Sequence, residues 1–96
     1  TAIVTLGSAG VAVATEEGWW SEPPHAVDVS DAIGAGDAFL GALAVAVGQG
    51  MPLREGVRRA NAAGAVAVTR AGGYDAAPTA DEIDAMLVRR RPGFGA

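Results

Sequence analysis

The hydrophobic pattern of this chain changes period once, and that change limits its possible folds more than any other feature. Before about residue 30 the apolar residues fall in short β-branched runs, whereas after Gly36 they recur at helical spacing to near the C-terminus. Ala2 to Leu6 (AIVTL) and Val11 to Thr15 are strand-like, and the GSAG between them supplies a turn, so the two read as a hairpin. Glu16 to His25 is polar and carries Pro23 and Pro24, which makes it a loop or a short edge strand. Val27 to Val29 is one further candidate strand. A helix is predicted from Gly36 to Val47, stopped by Gly48 and Gly50, and Pro52 then opens a second from Leu53 to Thr69. Gly72 and Gly73 break that helix. In TADE, Thr79 stands three residues before Glu82, a capping box that starts a third helix running to about Arg90. The tail RPGFGA, residues 91–96, reads as disordered.

Strands first and helices afterwards, within 96 residues and with no repeat or linker, make residues 1–96 one segment. Its fold class is α/β or α+β, with helices covering one face of a sheet. The uncovered face calls for a partner, either a second copy in a homo-oligomer or another polypeptide. The chain opens at Thr1, directly on a strand-like run, which reads as a fragment or processed piece.

Half of the residues are hydrophobic, but they are mostly Ala and Val with only five aromatics, so the core is thin and closely packed. The formal net charge is −4 and there is no lysine, which argues against a continuous basic stripe and hence against nucleic acid as a partner. The absence of cysteine removes disulfides, thiolate zinc sites and cysteine nucleophiles together. No apolar run approaches a membrane span and the N-terminus lacks a basic signal region, so no membrane partner and a cytoplasmic location are expected.

The chemistry is concentrated in DAIGAGDAFLGALAVAVG, residues 31–48. Gly34, Ala35 and Gly36 stand at a predicted helix start, where backbone N–H groups lack intrahelical acceptors and the helix dipole adds roughly half a positive charge. Small residues let an anion such as a phosphate come close to those N–H groups. Asp37 beside them is placed to act as a general base, taking a proton from a hydroxyl that attacks a phosphoryl group. A tight strand-to-helix turn capped by Asp31 or Asp37 accounts for the same residues without any chemistry.

Three motifs in order, VTLGSAG, DAIGAGDAFLGAL and ANAAGAVAVTRAGG, resemble the C-terminal part of the ribokinase-like (PfkB) carbohydrate kinases, over Ala2 to about Leu87. The family's second signature reads Asp-Thr-x-Gly-Ala-Gly-Asp followed by a small, apolar helix start. The resemblance implies a three-layer α/β/α fold, of which this chain would be the C-terminal part. It also implies ATP-dependent phosphorylation of a hydroxyl on a sugar or related small molecule, with magnesium and a stimulating monovalent cation such as potassium. By motif match Asp37 would be the catalytic base, with Gly34, Ala35 and Gly36 as the anion hole. Thr5, Gly7, Ser8 and Gly10 match the loop that borders the nucleotide, and Asn61 matches a position near the adenine. The monovalent cation would be held by Asp31, by the carbonyls of Ile33, Ala67, Arg70 and Gly72, and by the region of Ala76. Ala32 replaces the family's usual Thr, and Ala76 replaces a Ser that ribokinases carry near the cation.

The sugar-recognising N-terminal portion, the lid strands and most of the central sheet of that family have no counterpart in these residues. Taken alone they offer half of an active site and are expected to be inactive. Fructokinases, adenosine kinases and ketodeoxygluconate kinases share the pattern, so the acceptor stays open within the family, with a pentose or hexose favoured. A different class of function, a non-catalytic anion-binding or assembly module, also fits a chain that keeps the cradle without a sugar site.

Other polar residues have simpler readings. His25 is read as a packed or solvent-exposed histidine, and Trp19 and Trp20 as packing against a neighbouring layer. Arg58 and Arg59 read as solvated helix-surface groups, with Glu55 one turn before Arg59 as its partner. Arg89 to Arg91 complement a helix C-terminus, and Asp81, Glu82 and Asp84 suit the first turn of the last helix rather than a metal.

Overall fold

The computed structural model describes residues 1–5, 10–25, 27, 35–69 and 77–88. Three strands, β1 (Ala2–Thr5), β2 (Val11–Thr15) and β3 (Gly18–Glu22), precede three helices, α1 (Ala35–Gly48), α2 (Leu53–Val68) and α3 (Ala80–Val88). The strands form an antiparallel sheet in the order β1-β2-β3. The stretch that could be loop or edge strand is thus an edge strand. Val27 belongs to no strand, and residues 28–29, with the tail at 91–96, lie outside the described residues.

The register sorts the sheet into two faces. Ile3, Val13 and Trp20 lie opposite one another across the three strands, as do Thr5, Val11 and Glu22. Val11 and Val13 are buried from that face against Phe39, Val57 and Ala60 of α1 and α2. Ala2, Ala14 and Trp19 form a row on the opposite face, where Trp19 is 75 % exposed. Consecutive strand residues point to opposite sides, so only Trp20 packs inward, and the expectation that both tryptophans would do so fails for Trp19.

Each helix boundary falls within a residue or two of its sequence signal. α1 closes in a Schellman motif: Met51 N donates to Ala46 O and Gly50 N to Val47 O, both at 3.0 Å. Gly50 supplies the positive φ of 76° which that motif requires. Pro52 follows at once and its carbonyl accepts the first bond of α2, from Gly56 N at 2.9 Å. At α3 the capping box is complete, with Thr79 N donating to Glu82 Oε1 at 2.9 Å and Glu82 N to Thr79 Oγ1 at 3.1 Å.

α2 is the centre of the molecule. Val57 and Ala60 face the sheet and α1, whereas Ala62, Ala63 and Val66 meet Ile83 and Met86 of α3. Arg59 Nη1 reaches Asp84 Oδ1 at 2.7 Å, so its partner comes from α3 and not from Glu55. Among the described residues no helix is long and apolar enough to cross a membrane.

Candidate active site

Ala35, Gly36 and Asp37 form the first turn of α1, so their N–H groups are among the four that a helix leaves without internal acceptors. Gly36 and Asp37 are exposed and Ala35 is half-buried. The start of α1 rests on α2 at Gly64, where an added methyl would lie 3.5 Å from the Ala35 carbonyl oxygen. Asp37 also lines a cleft of about 370 Å³ between α1 and α3. Ala38, Ala42, Ala63, Pro78 and Ile83 make its apolar wall, with Gln49 and Arg59 as polar members. A carboxylate at a helix N-terminus, exposed and beside a cleft, can accept a proton from a ligand hydroxyl while the neighbouring N–H groups hold an anion.

Of the residues expected to border a nucleotide, Thr5 and Gly10 are described. Thr5 ends β1 opposite Val11, and Gly10 stands immediately before β2, so the two bracket residues 6–9. Gly10 is buried with φ of 96°. A Cβ there would fall 2.1 Å from the Glu22 carbonyl oxygen and 3.1 Å from backbone atoms of Pro23 and Pro24. The tail of β3 therefore lies directly on Gly10. Asn61 holds the same tail, its Nδ2 donating to Pro23 O at 2.9 Å. His25, just beyond, is buried, which agrees with its reading as a packed side chain.

Asn61 is one member of a polar row that sequence reading missed. Arg54 stacks its guanidinium 4.4 Å from the centre of the Trp20 ring, and Arg58 Nε lies 3.6 Å from Glu22 Oε1. Positions 54, 58 and 61 repeat at one-turn spacing along a single helix face, so the signal was present in the sequence. Its target was not, because nothing local pairs residues 20–23 with a helix more than thirty positions away.

Ala67 lies in the last turn of α2, one turn beyond Gly64, at the end of the molecule where α1 begins. Its carbonyl is among the last four of the helix, with the Thr69 N–H directed at it and at Val66 O, and a carbonyl of this kind suits a weakly held monovalent cation. Asp31, Ile33, Arg70, Gly72 and Ala76, the other expected cation ligands, lie outside the described residues, as do Gly34 of the expected anion hole and Gly7 and Ser8 of the expected nucleotide loop. Among the described residues no group of three or more His, Cys, Asp or Glu side chains is placed to hold a metal ion.

The profile of the pfkB family carbohydrate kinases matches residues 1–80. Aminoimidazole riboside kinase of Salmonella typhimurium is 39% identical over 92 residues, which are 91% of this chain and 29% of that protein. Among solved structures, ribokinase from Thermotoga maritima superposes with a TM-score of 0.82 at 38% identity, over 88% of this chain and 29% of the other. Aminoimidazole riboside kinase from Salmonella enterica, complexed with aminoimidazole riboside and an ATP analog, gives 0.81 at 38% identity, over 91% and 31%. The chain thus spans about 29% of the length of the curated relative it matches.

Proposed function

The chain belongs to the pfkB family of carbohydrate kinases, and from that premise we propose that it is the nucleotide-handling and base-bearing part of an ATP-dependent kinase acting on a hydroxyl of a sugar or sugar-like small molecule. The observation that carries this is the exposed Asp37 in the first turn of α1, where helix N–H groups have no acceptor within the helix, beside a cleft. Similarity to aminoimidazole riboside kinase and to a probable fructokinase supports a pentose-bearing or hexose acceptor.

In this reading Asp37 accepts the proton of the acceptor hydroxyl as its oxygen attacks the γ-phosphorus, and the bond from that phosphorus to the leaving nucleotide oxygen breaks. Gly34, Ala35 and Gly36 present N–H groups to the charge that develops on the transferred group. ATP with its magnesium supplies the phosphoryl group and part of its charge neutralisation when bound. Magnesium of this kind would take phosphate and water oxygens and need few protein ligands. The Ala67 carbonyl, with Asp31, Ile33, Arg70, Gly72 and the region of Ala76, would hold a potassium-type cation beside the anion hole. Thr5, Gly7, Ser8 and Gly10 border the nucleotide.

The acceptor site would come from sequence beyond these residues, so the 96-residue chain alone is inactive. The exposed apolar residues Val4, Trp19, Leu40 and Val47 are where further polypeptide or a second copy associates. The test is Asp37→Asn in the longest natural chain that carries these residues, assayed with ATP against a panel of sugars and ribosides. Turnover falls by about a hundredfold or more, while ATP affinity and the unfolding midpoint stay near wild type. Near-normal turnover in the variant would remove Asp37 as the base.

A further inference from the structure

The Asn61 amide is already engaged within the protein. Its Nδ2 donates to the Pro23 carbonyl at 2.9 Å, and Pro23 with Glu22 and Pro24 forms the backbone surface against which Gly10 is packed. From this chain of contacts we infer that Asn61 is a positioning residue for the nucleotide site: through Pro23 it fixes Gly10, the residue that leads into β2. This rests on the kinase reading of that site, and it gives Asn61 a different job from direct contact with the base.

Several observations converge on it. Gly10 is buried at a positive φ with no room for a side chain, so any shift of the Glu22–Pro24 backbone is transmitted to it. Neither Pro23 nor Pro24 has an N–H to donate, so these two residues can be hydrogen-bonded only through their carbonyls. Arg58 holds Glu22 and Arg54 holds Trp20 on the same helix face. Asn61 is the last hook of that row, one turn from Gly64, on which the start of α1 rests. The nucleotide-loop end and the anion-binding turn are thereby referenced to one face of α2.

The experiment uses the longest natural chain carrying these residues, with Asn61→Ala and Asn61→Gln, and steady-state kinetics in ATP and in inosine triphosphate, which lacks the 6-amino group. Loss of one hydrogen bond predicts a rise of about fivefold in KM for the nucleotide in Asn61→Ala. That rise is equal for ATP and inosine triphosphate, with kcat within twofold, and Asn61→Gln recovers part of it. Amide exchange of the parent and variant provides a readout independent of turnover. Exchange at the amides of Gly10, Glu22 and His25 accelerates about fivefold in Asn61→Ala, while α3 is unchanged. A collapse of the preference for ATP over inosine triphosphate overturns the inference and makes Asn61 a reader of the base. Unchanged KM, or unchanged exchange at Gly10, overturns it as well. A parent protein that binds ATP but phosphorylates no acceptor counts against the kinase reading alone, and the exchange result then decides the role of Asn61.

Discussion

Gly10→Ala is the substitution whose cost the structure determines most fully. At φ of 96° a residue with a Cβ loses about 1–2 kcal/mol to backbone strain. The new methyl would also stand 2.1 Å from the Glu22 carbonyl oxygen, a backbone atom that no rotamer change can move aside. Forcing apart a packed site of this kind costs about 1–3 kcal/mol more. The sum, about 2–5 kcal/mol, is a large share of the stability of an ordinary domain. Gly50→Ala supplies the internal control. Its φ of 76° carries similar strain, but an added methyl there meets nothing within 4 Å, so only the backbone cost of about 1–2 kcal/mol applies. Urea unfolding of parent and both variants, followed by Trp20 fluorescence, should show equal slopes and a midpoint for Gly10→Ala well below that for Gly50→Ala. Equal midpoints for the two variants would refute the claim that the β3 tail lies on Gly10.

Two smaller effects follow at α3. Thr79→Ala removes the hydroxyl that accepts from Glu82 N and should cost about 1 kcal/mol, read as a lower unfolding midpoint, while the Glu82 bond back to the residue 79 amide remains available. A double-mutant cycle of Arg59→Ala with Asp84→Ala should give a coupling of only about 0.2–1 kcal/mol despite the 2.7 Å contact, because the Asp84 side chain is 60% exposed. That coupling should shrink further in high salt.

Much of this arrangement could be read from local chemistry. The three helices were marked by Gly50, Pro52 and the Thr79–Glu82 pair because caps and turns depend on residues within one turn of each other. The hairpin of β1 and β2 and the placement of Asp37 in a first helical turn were legible for the same reason. Trp19 was misjudged because alternation in an edge strand exposes one of two adjacent tryptophans, and which one depends on register. Arg59 was given to Glu55, its neighbour on the helix, since sequence shows local partners only; packing of α2 on α3 brought Asp84 closer. The Asn61–Pro23 bond and the seating of Gly10 were hidden for the same physical reason: each joins segments far apart in the chain through a carbonyl, a group every residue possesses.

The buried residues of α2 are Gly56, Ala60, Ala62, Ala63 and Ala67, with Val57 and Val66 as the larger members. Burying Gly or Ala freezes no side-chain rotors, so most of this surface assembles without the entropy penalty that Leu or Met would incur. The same economy leaves α2 little means of adjustment on its own side of the contact, so an error there must be absorbed by larger neighbours such as Phe39, Ile83 and Met86. In such a molecule the seat of α1 on α2, and with it the place of Asp37, is set by close approach at Gly56 and Gly64, where there is no side chain to soften on warming.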